Sequence, residues 1–151
     1  MARMHSRARG KSGSKKPVEK GKITWLRYSN EEINQLIIKI AKTGKTPSQI
    51  GLVLRDVYGV PDVKRVLNKK MNKILEENKL LGDLPEDLVA LIRKDIKIME
   101  HMEENKKDMF AKRGLNLTES KINRLVKYYK KSGRLDKTWK YNRNNAKLLV
   151  G

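Results

Sequence analysis

The spacing of apolar residues along the chain is helical. Between residues 29 and 147, apolar side chains recur at positions i, i+3, i+4 and i+7, and polar or charged side chains fill the positions between them. This is the period of one buried face of a helix. No stretch alternates apolar and polar residues over the length of a strand. The pattern therefore predicts an all-α protein that folds as a helical bundle.

Capping signals predict where the first two helices begin and end. Ser29 is followed three residues later by Glu32, and Thr46 is followed at the same spacing by Gln49. In such a capping box each side chain accepts a hydrogen bond from the other residue's backbone N–H, which satisfies donors at the start of a helix. Gly59 is expected to end the second helix, because glycine readily adopts the left-handed conformation found there.

A third helix is predicted to begin at Asp62 and to end near Gly82. With the helix at 47–57 and the turn at Gly59 before it, this segment has the spacing of a helix-turn-helix unit. The side chains that would enter a DNA major groove are Lys64, Arg65, Asn68 and Lys69. Packing of three helices produces the same pattern, and no dimer interface is evident. A DNA-binding regulator using residues 47–75 is therefore the alternative function and not the leading one.

The C-terminal half is predicted to fold as a long helical hairpin. Its first helix continues to about Ala111, Gly114 forms the corner, and the facing helix ends at Gly133. A last short helix is predicted after Asp136, with Ala146 packing back onto the hairpin. The helices that precede the hairpin form an extra N-terminal helical unit.

Basic charge is concentrated at the two ends of the chain. Residues 1–22 contain eight Lys or Arg and one acidic residue, and residues 112–147 contain twelve and two. The middle, residues 23–111, contains sixteen basic and fourteen acidic side chains. Together with a net charge of +19 and a pI near 10.2, this segregation indicates a polyanionic partner.

Residues 1–22 are rich in Arg, Lys, Gly and Ser and show no hydrophobic period. Such a segment cannot bury enough apolar area to offset its chain entropy, so we expect a basic tail that is disordered until it binds its polyanionic partner. The tail residues expected to contact phosphates are Arg3, Arg7, Arg9, Lys11, Lys15 and Lys16. A solubilising leader is the alternative interpretation of this tail.

Composition also disfavours several classes of function. The chain has no cysteine, which excludes disulfides, thiolate metal sites and a cysteine nucleophile. Its two histidines are far apart in the sequence, and it has no glycine-rich phosphate loop. No apolar run reaches the ~20 residues that span a bilayer. We therefore expect a cytoplasmic protein that is not an enzyme and that has no metal, cofactor, small-molecule substrate or membrane partner.

A polar stripe follows the predicted hairpin opposite its apolar face. His101 and Asp108 are seven residues apart, so both are expected on one face of the first helix. Lys121, Arg124 and Tyr128 are expected on the outer side of the second helix. Hydrogen-bonding, cationic and aromatic groups on two aligned helices suit an RNA minor groove and its backbone. A solvated helix face with a surface histidine is the alternative.

The motifs NKKD (105–108) and ESKINRLVKYY in this stripe resemble the S-fifteen family of small-subunit ribosomal proteins. The resemblance covers residues 62–147 in helix spacing and residues 101–129 in motif. The phrases TWLRYSNEEI and GKTPSQIGLVLRD are similar to the archaeal and eukaryotic branch of that family. The resemblance implies a helical RNA-binding core at 61–151, preceded by a helical extension at 23–60 and the basic tail.

The resemblance implies a structural constituent of the small ribosomal subunit that binds ribosomal RNA at a helical junction of its central domain and supports assembly. In the family, the equivalents of His101 and Asp108 hydrogen-bond base edges and ribose hydroxyls in a widened minor groove, and Gly82 matches a glycine near a three-way junction. Further partners would be neighbouring ribosomal proteins and, at the corner over 108–114, the large subunit. The residues implied in RNA binding are Gly82, His101, Asp108, Lys112, Arg113, Lys121, Arg124, Lys127 and Tyr128.

The sequence departs from the bacterial members of that family at three positions. Ala111 stands where many of them carry a hydroxyl residue, which leaves one hydrogen bond to RNA without a donor. Leu81 and Asp87 replace a threonine and a glutamine near the turn that approaches the junction. The local contacts with RNA are expected to differ at these positions.

Overall fold

The computed structural model of the chain describes residues 23–150. Within that range the chain forms helices and no strand, which confirms the all-α prediction. The described residues form two compact units, 23–83 and 84–150. The first unit contains α1 (Asn30–Lys42), α2 (Pro47–Asp56), α3 (Val63–Leu67) and α4 (Met71–Glu77). The second contains α5 (Glu86–Glu104), α6 (Met109–Lys131), a 3-10 helix (Arg143–Asn145) and α7 (Ala146–Val150).

Both predicted capping boxes are present in the first unit. The backbone N–H of Ser29 donates to Glu32 Oε2 at 2.7 Å, and the N–H of Glu32 donates to Ser29 Oγ at 3.3 Å. Thr46 and Gln49 make the equivalent two hydrogen bonds at 3.1 and 3.4 Å. Gly59, just beyond α2, has a φ of +68° and so adopts the left-handed conformation expected of it. These local signals place α1 and α2 as predicted.

The apolar faces of the four helices in the first unit form one core. Its buried members are Ile33, Ile37, Ile40, Ile50, Leu54, Val60, Val63, Ile74 and Leu75. At the edge of this unit the indole Nε1 of Trp25 donates to the carbonyl of Gly59 at 3.1 Å, although the Trp25 side chain is largely exposed. The chain ahead of α1 is therefore fixed to the turn that follows α2.

The predicted third helix from Asp62 to Gly82 is wrong, because this segment forms two short helices. α3 ends at Leu67 and α4 begins at Met71, with Asn68 between them in the left-handed conformation at a φ of +55°. Asparagine tolerates that conformation better than most residues do. The apolar positions keep the same helical phase on both sides of the break, so their spacing contains no sign of it.

The hairpin of the second unit turns at residues 105–108 and not at Gly114. α5 ends before this corner instead of continuing to Ala111, and Gly114 lies inside α6. Asp108 is the N-cap of α6, and its Oδ1 accepts the backbone N–H of Ala111 at 2.9 Å. A capping side chain therefore sets the corner, and a glycine with a helical backbone does not interrupt the helix.

α5 and α6 pack against each other and against the C-terminal segment. The buried members of this core are Leu88, Ile92, Ile122, Val126, Leu135 and Ala146. Gly133 has a φ of +74° just beyond α6, which confirms the predicted end of that helix. The last helix begins at Ala146, later than the predicted start after Asp136, although Ala146 packs onto the hairpin as expected.

Candidate nucleic-acid interface

His101 and Asp108 meet at the corner although they belong to different helices. His101 lies in the last turn of α5, and its Nε2 is 2.9 Å from Asp108 Oδ2. Asp108 Oδ1 caps α6 through Ala111, and the backbone N–H of Phe110 also donates to this carboxylate. Because a carboxylate has about four acceptor sites, it can still accept a further hydrogen bond. The two side chains are 48% and 35% exposed. The expectation that both residues share one helix is wrong, but the structure brings their side chains together.

The pKa of the Asp108 carboxyl group is lowered from its ordinary value. The largest cause is the hydrogen bond from the backbone N–H of Ala111, and the next is the hydrogen bond with His101. Both favour the ionised form. Asp108 is therefore an acceptor at neutral pH, a group to which a ribose 2′-hydroxyl or a base amino group can donate.

The outer face of α6 carries a series of basic side chains. Arg113 and Arg124 are eleven residues apart, about three helical turns, so they lie on the same side of α6. Among the described residues, no ion pair involves Lys112, Lys121, Arg124 or Lys127. Glu119, the acidic residue within α6, instead accepts a hydrogen bond from Arg143 Nη2 at 2.8 Å. This arrangement leaves positive charge on the outer surface, where phosphates can reach it.

Tyr128 presents an aromatic ring beside these cations. It is 61% exposed, and its ring meets that of Tyr129 edge to face at a centroid distance of 5.2 Å. The Tyr129 hydroxyl donates to both carboxylate oxygens of Asp87 at 2.7 Å, which ties the end of α6 to the start of α5. Burial, followed by the hydrogen bond with Asp87, raises the pKa of Tyr129 to about 12. Tyr128 therefore lies against a fixed neighbour with its own ring available to a base.

A buried polar network in the second unit was not expected from the sequence. Asp95 is completely buried on the apolar face of α5, and its Oδ2 accepts the hydroxyl of Tyr141 at 2.7 Å. Arg143 Nε lies 3.8 Å from the same oxygen, and Arg143 also binds Glu119. Burial and the hydrogen bond with Asp95 raise the pKa of Tyr141. One signal in the sequence could have indicated this network. Asp95 lies three residues after Ile92 and so falls on the apolar face of the helix, where a buried carboxylate needs a hydrogen-bond or ion-pair partner.

The other candidate groups lie outside the hairpin. Gly82 is an exposed residue of the first unit, whereas the remaining candidate residues with described positions belong to the second. The tail residues Arg3, Arg7, Arg9, Lys11, Lys15 and Lys16 lie outside the described range. Within residues 23–150, no group of three or more His, Cys, Asp or Glu side chains could hold a metal ion. None of the described helices is both long and apolar enough to cross a membrane.

Both parts of the chain match known protein families. Residues 1–60 match the family described as Ribosomal S13/S15 N-terminal domain, and residues 68–149 match Ribosomal protein S15. The chain is 47% identical over 150 residues to the small ribosomal subunit protein uS15 of Methanocella arvoryzae, and the match covers 99% of each chain. The resemblance inferred from NKKD, ESKINRLVKYY and the N-terminal phrases is confirmed, and this chain belongs to the ribosomal protein S15 family.

Proposed function

We propose that this chain is a structural constituent of the small ribosomal subunit and binds small-subunit ribosomal RNA through the outer face of α5 and α6. The observation that carries the proposal is the His101–Asp108 pair at the corner, together with a series of cations along α6. Among the described residues, no ion pair involves Lys112, Lys121, Arg124 or Lys127. RNA recognition needs both kinds of group, since hydroxyls and base edges are read by hydrogen bonds and phosphates by positive charge. Membership in a ribosomal family supports a structural role in the cytoplasmic ribosome and not a catalytic one.

In this proposal His101 and Asp108 enter a widened RNA minor groove. The carboxylate of Asp108 accepts from a ribose hydroxyl or from the guanine amino group, the donors that a minor groove offers. The hydrogen bond between the two residues fixes both side chains before RNA arrives. Less conformational entropy is then lost on binding, which favours affinity and fixes the orientation of the groove on the protein.

The cations of α6 bind the RNA backbone on either side of that groove. The proposed phosphate contacts are Lys112, Arg113, Lys121, Arg124 and Lys127, with the basic tail adding further contacts. Each phosphate that a cation neutralises releases counterions, so this part of the affinity depends steeply on salt. Tyr128 stacks on or hydrogen-bonds to the same RNA, and Gly82 lies where a loop approaches the junction.

The proposed target is a helical junction in the central domain of the small-subunit RNA. A rigid hairpin that contacts two RNA helices fixes the angle between them, and this favours later steps of subunit assembly. Neighbouring ribosomal proteins then bind on a surface that is already shaped. The stiffness of the hairpin supports this role, because Tyr129 and Asp87 join its two helices at one end and His101 and Asp108 join them at the other.

The start of α6, residues 108–114, is the proposed contact with the large subunit. Met109 is 66% exposed and Phe110 is 88% exposed in the first turn of α6. Large apolar side chains at such exposures are available to a partner surface. The Phe110 ring is followed by Lys112 and Arg113, and an exposed aromatic ring near positive charge suits an unpaired base of the large-subunit RNA, on which it can stack.

A competition titration tests the proposed function. The full chain is titrated against a three-way-junction fragment of small-subunit RNA with random duplex DNA as competitor, at matched salt. We expect preferential binding of the junction, whereas a preference for the DNA would overturn the proposal. Arg124→Gln should weaken RNA binding and flatten its salt dependence. Arg55→Gln removes the same charge from an arginine that already binds Asp56 at 2.7 Å, and should change neither.

The alternative function, a DNA-binding regulator that uses residues 47–75, is not favoured. The relatives and family models give it no support. The helix that would have entered the major groove is also interrupted at Asn68, between α3 and α4. The cations of that segment therefore need another explanation.

A further inference from the structure

Five cations lie within ten residues of the first unit and are not part of the hairpin surface. They are Lys64, Arg65, Lys69, Lys70 and Lys73, and the segment 64–73 contains no acidic residue. The four lysines are exposed, and Arg65 is half-buried. We call this set the 64–73 basic face. It runs from the first turn of α3 through the left-handed Asn68 to the first turn of α4.

The packing of α3 and α4 directs these side chains away from the core. The apolar positions of both helices point inward, because Val63, Ile74 and Leu75 are buried. Lys69 Nζ lies 2.9 Å from a carboxylate oxygen of Glu77. Lys73 is four residues before Glu77 and so lies on the same face of α4. Lys69 and Lys73 therefore share one outer surface of the first unit.

The basic face has no evident role in stabilising the fold. Among the described residues, Lys69 is the member of the set that forms an ion pair. Lys70 is the N-cap of α4 but makes no side-chain capping hydrogen bond. Positive charge near a helix N-terminus is unfavourable. Asp62 offsets it at the N-cap of α3, but α4 has Lys70 at its N-cap and no acidic residue in its first turn. Residues that destabilise a helix locally are expected at surfaces that bind a partner.

We propose that the 64–73 basic face binds backbone phosphates of ribosomal RNA and is a second RNA-binding surface, additional to the hairpin. RNA fits this surface better than a protein partner does, because its exposed groups are ammonium groups and its apolar residues are buried or half-buried. A protein interface of useful affinity would need an apolar centre. Phosphate recognition needs positive charge alone and tolerates any base sequence.

Neutralising three of these lysines tests the proposal. The triple variant Lys64→Gln, Lys70→Gln, Lys73→Gln is titrated against complete small-subunit RNA at several salt concentrations. Each lost phosphate contact should reduce the steepness of the plot of log K against log salt by about 0.7 to 0.9. The slope measured for the triple variant should therefore be less steep than that of the unmodified chain by about 2 to 3. The matched control is Lys39→Gln, Lys42→Gln, Lys45→Gln. It removes the same charge from three exposed lysines in and just after the last turn of α1, in the same unit.

The control variant should keep the slope of the unmodified chain. If the two triple variants lost the same amount of salt dependence, the effect would come from net charge alone and the proposal would be overturned. An unchanged slope in the 64–73 variant would also overturn it. A second measurement on the unmodified chain avoids any effect of substitution on folding. Bound RNA should protect Lys70 and Lys73 from acetylation while leaving Lys42 and Lys45 reactive, and equal reactivity of all four would count against the proposal. Hairpin variants such as Arg124→Gln report separately on the proposed function, because they leave these lysines in place.

Discussion

His101 Nε2 and Asp108 Oδ2 are 2.9 Å apart, and this contact joins the last turn of α5 to the N-cap of α6. The other oxygen of the same carboxylate caps α6 through the N–H of Ala111. Asp108 therefore has two roles, one in closing the hairpin and one in presenting a negative acceptor beside a histidine. Substitutions that preserve only one of these roles can separate them.

Two substitutions at Asp108 should give different results. Asp108→Ala removes the cap and the carboxylate, so the free energy of unfolding should fall by about 1 kcal/mol and specific RNA binding should weaken by about 1–3 kcal/mol. Asp108→Ser keeps an oxygen that can cap the helix but has no carboxylate, so it should retain stability and still lose RNA affinity. Urea unfolding and titration against the junction RNA measure the two quantities. A serine variant that binds RNA as tightly as the unmodified chain would show that the carboxylate does not read the groove.

The lowered pKa of Asp108 predicts a dependence of stability on pH. In the unfolded chain this pKa returns to about 3.9, and in the folded chain it is lower. A group of this kind stabilises the fold above its unfolded pKa and loses that contribution as the pH falls through its folded pKa. The difference in unfolding free energy between the unmodified chain and Asp108→Asn should therefore be constant from neutral pH to about pH 4 and should shrink below it. A difference that changes near neutral pH would have to come from another group.

Short-range signals predicted much of the fold. The residue pairs at Ser29 and Thr46 cap their helices as expected, and Gly133 adopts the left-handed conformation that ends α6. The corner was misplaced because glycine is a weak helix breaker, and Gly114 keeps a helical backbone inside α6. Asp108, a strong N-cap residue, determines where α6 begins. A cap and a glycine six residues apart were competing signals, and the cap prevailed.

The candidate site was predicted less completely than the helices. The motif resemblance identified His101 and Asp108, but their direct contact depends on where α5 ends, which apolar spacing does not determine. The hydrogen bond between Tyr141 and Asp95 joins residues 46 positions apart, and no local pattern indicates such a pairing. Sequence patterns report contacts within a helix, whereas both of these contacts arise from the packing of separate segments.

Tyr141→Phe tests whether that buried contact stabilises the second unit. The variant keeps the ring but leaves Asp95 Oδ2 without its donor in a fully buried position. An unsatisfied buried group costs about 1–3 kcal/mol, more if it is charged, so the free energy of unfolding should fall by at least about 1 kcal/mol. Tyr128→Phe is the matched control, because its hydroxyl belongs to an exposed ring and its loss should leave stability unchanged. Equal stability of the two variants in urea unfolding would mean that Arg143 alone compensates the charge of Asp95.

Substitution of Tyr128 distinguishes base stacking from hydrogen bonding. If the exposed ring stacks on a base, Tyr128→Phe should bind junction RNA normally, whereas Tyr128→Ala should lose about 1–3 kcal/mol of binding free energy. If the hydroxyl makes the contact, both variants should lose affinity to a similar extent. Leu148→Ala, which removes an even more exposed apolar side chain from the same unit, controls for a general loss of surface area. The Tyr128 ring packs edge to face on Tyr129 and is itself 61% exposed, so its aromatic surface is accessible to a base, and we expect the phenylalanine variant to retain affinity.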